Sequence, residues 1–487
     1  MSSDNHDKEA LKLLVIDAIS KQCISTAAES ADKDILPSDI LKLASALNNG
    51  HKLQLEILSG GLANYSYKVT CTDETTDVVL FAKLTFTYAL VFPDKPCPLD
   101  RTKYEFESLN IYKDVVSKSS KASNEAVTPY FCIDVEGDHK LLVAQFSKLD
   151  EQAANQFIDG STDIRVSSTL ANSLAALHSM KDFDPNHNID IKPFIQDLVN
   201  ILEEIFDGMM KEEDGDDVDR PTKLGKSMGK EILDKIISTY RKKLDDRDCI
   251  VHGDCHVFNM LVEAKPSIEK LEAFGEKGDI VLIDWEFSRC GPIAIDMGFI
   301  HPFPITCLLT HAMSGELSSS ENIIKFLDTL WDEYSSTVQT DRELSDIYRT
   351  MLSFTGVILI AYYKLGFHLD FLPLDEGNVE GLDRIKKSIG VLGMKFLSWG
   401  FGCNEDTTTL SDMRTRFKDA ITEEILLLSP VKKMRGRNRR SSMLRASGRR
   451  VSDAHLMLNG GSVRDMTTLL EAEATLPLFT TDEEDPL

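Results

Sequence analysis

The sequence predicts an α+β fold of two lobes, a small β-rich N-lobe followed by a larger, mainly helical C-lobe. Between Leu53 and Phe146, apolar and polar residues alternate at the period of strands. From Leu170 to about Leu428, apolar residues recur at helical spacing, and the polar crossing Ser147-Lys148-Leu149-Asp150 divides the two regimes. The third observation is residues 251–298, where short apolar strand-like runs deliver histidine, aspartate and asparagine at fixed intervals: VHGDCHVFNMLV, then DIVLIDWEFSRCGPIAIDMG.

These textures divide the 487 residues into a helical N-terminal extension (1–50), an N-lobe (51–148), a C-lobe (149–428) and a charged tail (429–487) expected to be disordered. The chain is 42% apolar, enough for a sizeable core, and its net charge of −25 argues against a nucleic-acid binder. Nine scattered cysteines form no C-x-x-C pair, so neither a zinc ribbon nor a disulfide framework is expected. The start MSSDNHDKEA has neither a basic n-region nor an apolar h-region, and the apolar run 356–363 is short of a membrane span. The expectation is a soluble, cytoplasmic protein without membrane or nucleic-acid partners, for which a homodimer is an allowed assembly.

In order, Glu9–Ile16 is apolar at helical spacing, and Pro37-Ser38-Asp39 is a helix start. Leu53–Leu58 and Tyr65–Thr70 read as strands joined by Ser59-Gly60-Gly61-Leu62-Ala63-Asn64. Glycines there would let the backbone N–H groups approach phosphates, although two glycines between strands also make an ordinary hairpin. In the next strand, Val78–Leu84, Lys83 sits among apolar neighbours and must snorkel or find a negative partner. The helical stretch 100–109 offers Glu105 and Glu107. They lie on different faces, and Glu105 shares the face of Leu109, so it is the preferred partner. Tyr130–Asp134 and Lys140–Phe146 are two further strands, the crossing Ser147–Asp150 is the hinge between the lobes, and a nucleotide base would bond to the backbone near Ala144–Phe146, around Gln145. In the C-lobe, 170–178 is a buried helix in which His178 reads as a packed core residue. The acidic run 212–219 lacks the register of a calcium loop. Helices follow at 224–244, 322–335, 341–367 and 378–396.

The central stretch carries the chemistry. His252, Asp254 and Asn259 have the spacing His-x-Asp-x-x-x-x-Asn, and the apolar run 280–283 ends on Asp284. Phosphoryl transfer needs one carboxylate to orient the acceptor hydroxyl and take its proton, plus a carboxamide and a second carboxylate to hold Mg²⁺ against nucleotide phosphates. Asp254 is the candidate base, and Asn259 and Asp284 are the candidate metal ligands. Gly60, Gly61, Asn64, Lys83, Glu105 and Gln145 would bind ATP. Asp296 reads as an anchor of the catalytic loop, and Glu286 as a group near metal or substrate.

Together these pieces resemble the aminoglycoside phosphotransferase and choline kinase superfamily over about residues 45–425. HGDxHxxN (His252, Gly253, Asp254, His256, Asn259), IDWE (283–286) and GPxxxDxG (Gly291, Pro292, Asp296, Gly298) occur in its order. Within it the chain looks most like methylthioribose kinases, through the glycine-asparagine turn ending at Asn64, Pro96-Cys97-Pro98-Leu99-Asp100-Arg101, the run from Asp284 to Gly291-Pro292, and the late helix 380–390. The resemblance implies a protein-kinase-like fold and ATP- and Mg²⁺-dependent transfer to a small-molecule hydroxyl, with 5-methylthioribose 1-phosphate as the product if that sugar is the acceptor. Asn259 stands where methylthioribose kinases carry Ser. Lys386 and Lys387 stand where they carry paired arginines for the sugar, and lysine cannot copy a guanidinium's paired contacts. A choline- or ethanolamine-type kinase is an alternative, for which Trp285, Tyr362, Tyr363 and Trp399 are available as cage aromatics. An aminoglycoside-type enzyme and a non-catalytic nucleotide-binding protein are others. The tail carries nine Lys/Arg between Lys432 and Arg450, and its Arg-Arg-Ser-Ser and Arg-Arg-Val-Ser runs mark Ser442 and Ser452 as expected phosphorylation sites.

Overall fold

A computed structural model describes residues 3–29, 37–58, 64–72, 77–90, 92–119, 126–149, 151–213, 215, 218–264, 278–374, 377–402 and 408–429. Gly60, Gly61, Ser442 and Ser452 lie outside them, as does the tail from residue 430.

The small lobe is an antiparallel sheet of β1 (Gln54–Ile57), β2 (Tyr65–Thr72), β3 (Asp77–Thr85), β6 (Pro129–Val135) and β7 (His139–Gln145), in the order β1-β2-β3-β7-β6. Two short strands, β4 (Tyr88–Ala89) and β5 (Phe92–Pro96), form a separate hairpin before helix α3 (Arg101–Lys118). Helices α1 (Ser3–Glu29) and α2 (Ser38–Asn48) are built into this lobe. Val15, Ile19, Ile40 and Leu43 share one apolar core with Val69, Leu80 and Val143 of the sheet. The Tyr130 hydroxyl donates to Asp39 of α2 at 2.8 Å. The N-terminal extension therefore covers one face of the sheet, and alternation along β3 sends Leu80, Ala82 and Leu84 into that core. Period two places Lys83 on the opposite face, toward α3.

The larger lobe begins with β8 (Glu151–Gln152), α4 (Ala153–Ile158), α5 (Ile164–His178) and α6 (Lys192–Lys211). The helix expected over 224–244 is two helices, α7 (Arg220–Met228) and α8 (Lys230–Leu244). Gly229 between them has φ +79°, which no α-helix contains. Short strands then frame the central stretch: β9 (Cys249–Val251) pairs with β12 (Arg289–Gly291), and β10 (Met260–Val262) lies between β8 and β11 (Ile280–Leu282). The rest is helical: α9 (Ile295–Ile300), α10 (Pro302–Ser314), α11 (Leu317–Thr337), α12 (Leu344–Leu365), α13 (Val379–Leu397) and α14 (Leu410–Leu428). By length and composition alone α12 could cross a membrane, but 67% of its most apolar window is buried within this lobe.

Candidate active site

The site lies where the sheet, α3 and the paired short strands of the larger lobe meet. Lys83 donates to Glu105 Oε2 at 2.8 Å and also to Asp284 Oδ1, and it lies 3.5 Å from Glu286 Oε2. Of the two glutamates on α3, Glu105 is thus the lysine's partner, and Glu107 faces His187 at 3.7 Å. The buried face of α3 explains the choice, because Arg101, Glu105, Ser108, Leu109 and Tyr112 fall on it. Burial acts to lower the pKa of Lys83, but the three carboxylates outweigh it and hold the ammonium above the ordinary lysine range. Burial, reinforced by Asp284 and Glu286, raises Glu105 to about 7 against the opposing pull of Lys83.

Glu286 is 1% exposed and belongs to a second network. It accepts from Asn64 Nδ2 at 2.7 Å and from Arg101 Nε at 3.1 Å, while Arg101 Nη2 donates to Asn64 Oδ1 at 2.9 Å. Arg101, fully buried, also donates to the carbonyls of Phe86 (2.8 Å), Pro98 (2.9 Å) and Cys97 (3.3 Å). One guanidinium therefore ties together the end of the glycine turn, the β4–β5 hairpin and the Asp284–Glu286 segment. The sequence marks Arg101 only through its place in a resemblance, since nothing local predicts a fully buried arginine.

The catalytic loop is held from behind. Asp296 accepts from the backbone N–H groups of His252 (2.8 Å) and Gly253 (2.9 Å) and from His178 Nε2 (3.1 Å), whose Nδ1 meets the Tyr334 hydroxyl at 2.8 Å. Burial would raise Asp296, but His178, His252 and the Gly253 N–H more than offset it and keep the carboxyl below its usual range. Position 253 must be glycine: its φ is +83°, and a Cβ there would lie 2.2 Å from the Phe287 carbonyl oxygen. His252 Nε2 meets the Ile283 carbonyl at 2.9 Å, which ties the loop to the strand that ends on Asp284. Asp284 itself adopts the left-handed region, φ +66°, where few non-glycine residues sit.

Asp254 projects from this anchored loop with its side chain 29% exposed. Asn259 donates through Nδ2 to the Asp254 carbonyl (3.0 Å) and carboxylate (3.3 Å), and His256 Nε2 is 3.4 Å from the same carboxylate. Burial pushes Asp254 up, but His256, His252 and His368 outweigh it and leave it below the ordinary range, so it is ionised. His256 is correspondingly raised by Asp254 against the lowering effect of burial.

Glu105, Asp284 and Glu286 each offer an oxygen within 4.8 Å of the others. All three are engaged, Glu105 by Lys83 and the Trp285 N–H (3.2 Å), Glu286 by Asn64 and Arg101, and Asp284 by Lys83 through Oδ1. Asp284, with its side chain 38% exposed, is the member a cation could reach, in exchange for or beside the Lys83 bond. Asn259 spends its NH₂ on Asp254, which leaves its carbonyl oxygen as the second fitting ligand. Beside the hinge, the Gln145 N–H donates to the Thr128 carbonyl (2.8 Å) and its side-chain oxygen accepts from Thr128 N (3.4 Å), so this position contributes little that is free to a base.

Sequence reasoning did not find the aromatic face beside Asp254. Phe258 stacks on His368 with centroids 4.3 Å apart, and Phe371 (55% exposed) lies 5.4 Å from Phe258. Tyr362 and His256 stand 5.6 and 5.7 Å from His368. Of the four aromatics available for a cage, only Tyr362 is here. Trp285 is buried under His252, Tyr363 bonds to Asp219, and Trp399 packs on Phe396. The only local signal was Phe258 inside the catalytic motif; His368 and Phe371 come from a loop without periodicity. The two lysines separate. Lys387 is paired with Asp383 at 2.6 Å, while the Lys386 ammonium lies 3.6 Å from where a Cβ on Gly366 would sit, at the base of the His368 loop.

The five-stranded sheet, the Lys83–Glu105 pair and the order of catalytic loop and strand-borne aspartate make this a protein-kinase-like fold. Residues 166–309 match the ecdysteroid kinase-like family. That segment runs from α5 through the catalytic loop, Asp284 and Asp296 into α10. No curated protein matches the chain. Among similar solved structures are an ethanolamine kinase of Plasmodium vivax (14% identity, 75% of this chain and 84% of that one, TM-score 0.38) and an aminoglycoside phosphotransferase of Alicyclobacillus acidocaldarius (14%, 75% and 92%, 0.38). A choline kinase of Cryptosporidium parvum is another (12%, 77% and 91%, 0.33).

Proposed function

We propose that the chain is an ATP-dependent phosphotransferase acting on a hydroxyl of a small molecule. The convergence of Lys83, Glu105, Asp284, Asn259 and Asp254 on one cleft between the lobes carries this reading. Lys83, charged and braced by Glu105, would hold phosphate oxygens of the nucleotide. Asp284 and Asn259 would hold a divalent cation, which supplies charge neutralisation at the phosphates when bound. Asp254 would accept a hydrogen bond from the acceptor hydroxyl and take its proton as the new O–P bond forms at the γ-phosphorus and the β–γ bridging bond breaks, with ADP leaving. Because its pKa is low, Asp254 contributes chiefly by positioning the hydroxyl, as expected where charge stabilisation dominates phosphoryl transfer.

The aromatic face of Phe258, His368 and Phe371 supports an acceptor with a flat or apolar body next to the reacting hydroxyl. An ecdysteroid satisfies this description and accords with the family match. 5-Methylthioribose is the second reading, supported by Lys386 at the base of the same loop. The test is a phosphotransfer screen of the purified protein with Mg-ATP against an ecdysteroid, methylthioribose, choline, ethanolamine and aminoglycosides, read as acceptor-dependent ADP release. Release with one acceptor assigns it, and ADP release with none of them favours a nucleotide-binding role without transfer.

A further inference from the structure

Helix α3 belongs by sequence to the small lobe, yet its buried face is gripped by the larger one. Glu105 Oε1 accepts from the Trp285 N–H at 3.2 Å, and Tyr112 packs on the Trp285 ring with centroids 4.7 Å apart. Between these contacts stands Ser108, fully buried, whose hydroxyl meets His187 Nε2 at 2.8 Å. His187 Nδ1 lies 3.7 Å from Glu107 Oε2, and the ring stands edge-on to Tyr104 at 5.1 Å between centroids. One imidazole thus touches residues 104, 107 and 108, which are neighbours on a single turn of the helix. His187 is in turn held to the segment that follows Asp284. Its N–H donates to the Asp184 carbonyl at 3.0 Å, and its carbonyl accepts from the Cys290 N–H at 3.4 Å. Asn188, next in the chain and in the left-handed region (φ +52°), donates through Nδ2 to the carbonyls of Glu286 (3.1 Å) and Ser288 (2.8 Å). Burial lowers the pKa of His187, so the ring is neutral and offers one donor and one acceptor.

The place of α3 decides what Lys83 does. Its ammonium is divided between Glu105 and Asp284. If α3 drew back, Glu105 would go with it, and the ammonium would settle on Asp284, the carboxylate that a cation has to reach. We propose that His187 is a positioning residue for the phosphotransfer site: through Ser108 it fixes the register of α3 against the Asp284–Glu286 segment and keeps Lys83 shared between the two carboxylates. The proposal rests on the reading of the cleft given above, and His187 acts through Ser108 and Glu105 rather than on the nucleotide.

Hydrogen exchange along α3 and equilibrium titration of a non-hydrolysable ATP analogue with Mg²⁺, both on the full chain, test it. His187→Leu removes the bond at similar bulk. It should speed exchange of the α3 amides by about tenfold or more while those of α5 stay as they were. Affinity for the analogue should fall by about tenfold, as expected when the docked helix becomes the minor state. Glutamine places an amide nitrogen where Nε2 stands, so His187→Gln should restore both measures. Ser108→Ala removes the same bond from the helix side and should reproduce the leucine phenotype, which also serves if His187→Leu fails to fold. The double variant should lose no more than either single one. Unchanged α3 exchange in both His187→Leu and Ser108→Ala overturns the proposal, and so does an equal defect in His187→Gln and His187→Leu. An analogue that the wild-type protein does not bind would instead unseat the reading of the cleft, and exchange along α3 would still judge His187.

Discussion

At the scale of single residues, the site works by committing almost every polar atom. Asp254 is ionised, partly open and flanked by Asn259 and His256, so Asp254→Asn preserves shape while removing the proton acceptor. We expect kcat to fall by about 10²–10⁴-fold with nucleotide affinity retained, as measured by steady-state kinetics beside equilibrium titration of a non-hydrolysable ATP analogue. Wild-type turnover would remove Asp254 from the mechanism. Gly253→Ala probes the scaffold. A Cβ 2.2 Å from the Phe287 oxygen forces the loop to move, and a displacement of about 1 Å should cost roughly 100-fold in turnover. An alanine variant with normal kinetics would show that the loop can yield there without consequence. These residues were legible because charge at fixed spacing inside apolar runs is rare. Arg101 was not, since its value depends on carbonyls supplied by the β4–β5 hairpin, which had no signal of its own.

Between elements, the two lobes are joined by polar clasps. One runs from β3 through Lys83 to α3 and Asp284, and the other from Asn64 through Arg101 to Glu286. Asn64 is 5% exposed at the end of the glycine turn, so Asn64→Ala leaves Glu286 and Arg101 each short of one partner. The expected cost is about 1–3 kcal/mol of stability. A rise of about tenfold in KM for ATP should accompany it as the turn loses its tether, while kcat changes less. Melting curves and kinetics measured together check this, and an unchanged KM would leave Asn64 a purely structural residue. Strand and helix existence was largely readable from period: β2, β3, β7, α11, α12 and α13 lie within a few residues of expectation. The break at Gly229 was not, because an isolated glycine within a helical pattern gives no notice that it will adopt positive φ. Nor was the aromatic face, which joins residues more than a hundred positions apart.

Over the whole molecule, buried histidines set the response to acid. His301 is 2% exposed, its Nδ1 meets the Met297 carbonyl at 2.6 Å, and burial lowers its pKa to about 4 despite that bond. The folded state keeps it neutral while the unfolded chain takes up a proton near the ordinary value, so its contribution is intact above about pH 6.5 and is lost as the pH falls toward 4. The difference amounts to roughly 3 kcal/mol, and His301→Gln should flatten the acid limb of a denaturant-unfolding series by about that much. Parallel limbs in the two proteins would assign the acid sensitivity elsewhere. The clasps between the lobes do not act alone. Leu109, Tyr112 and Val116 of α3 and Leu142 and Ala144 of β7 belong to the apolar core of the larger lobe, so parting the lobes exposes hydrocarbon as well as hydrating charges. Opening the cleft should therefore carry a clear positive heat-capacity change, so that its equilibrium curves with temperature as well as shifting with ionic strength.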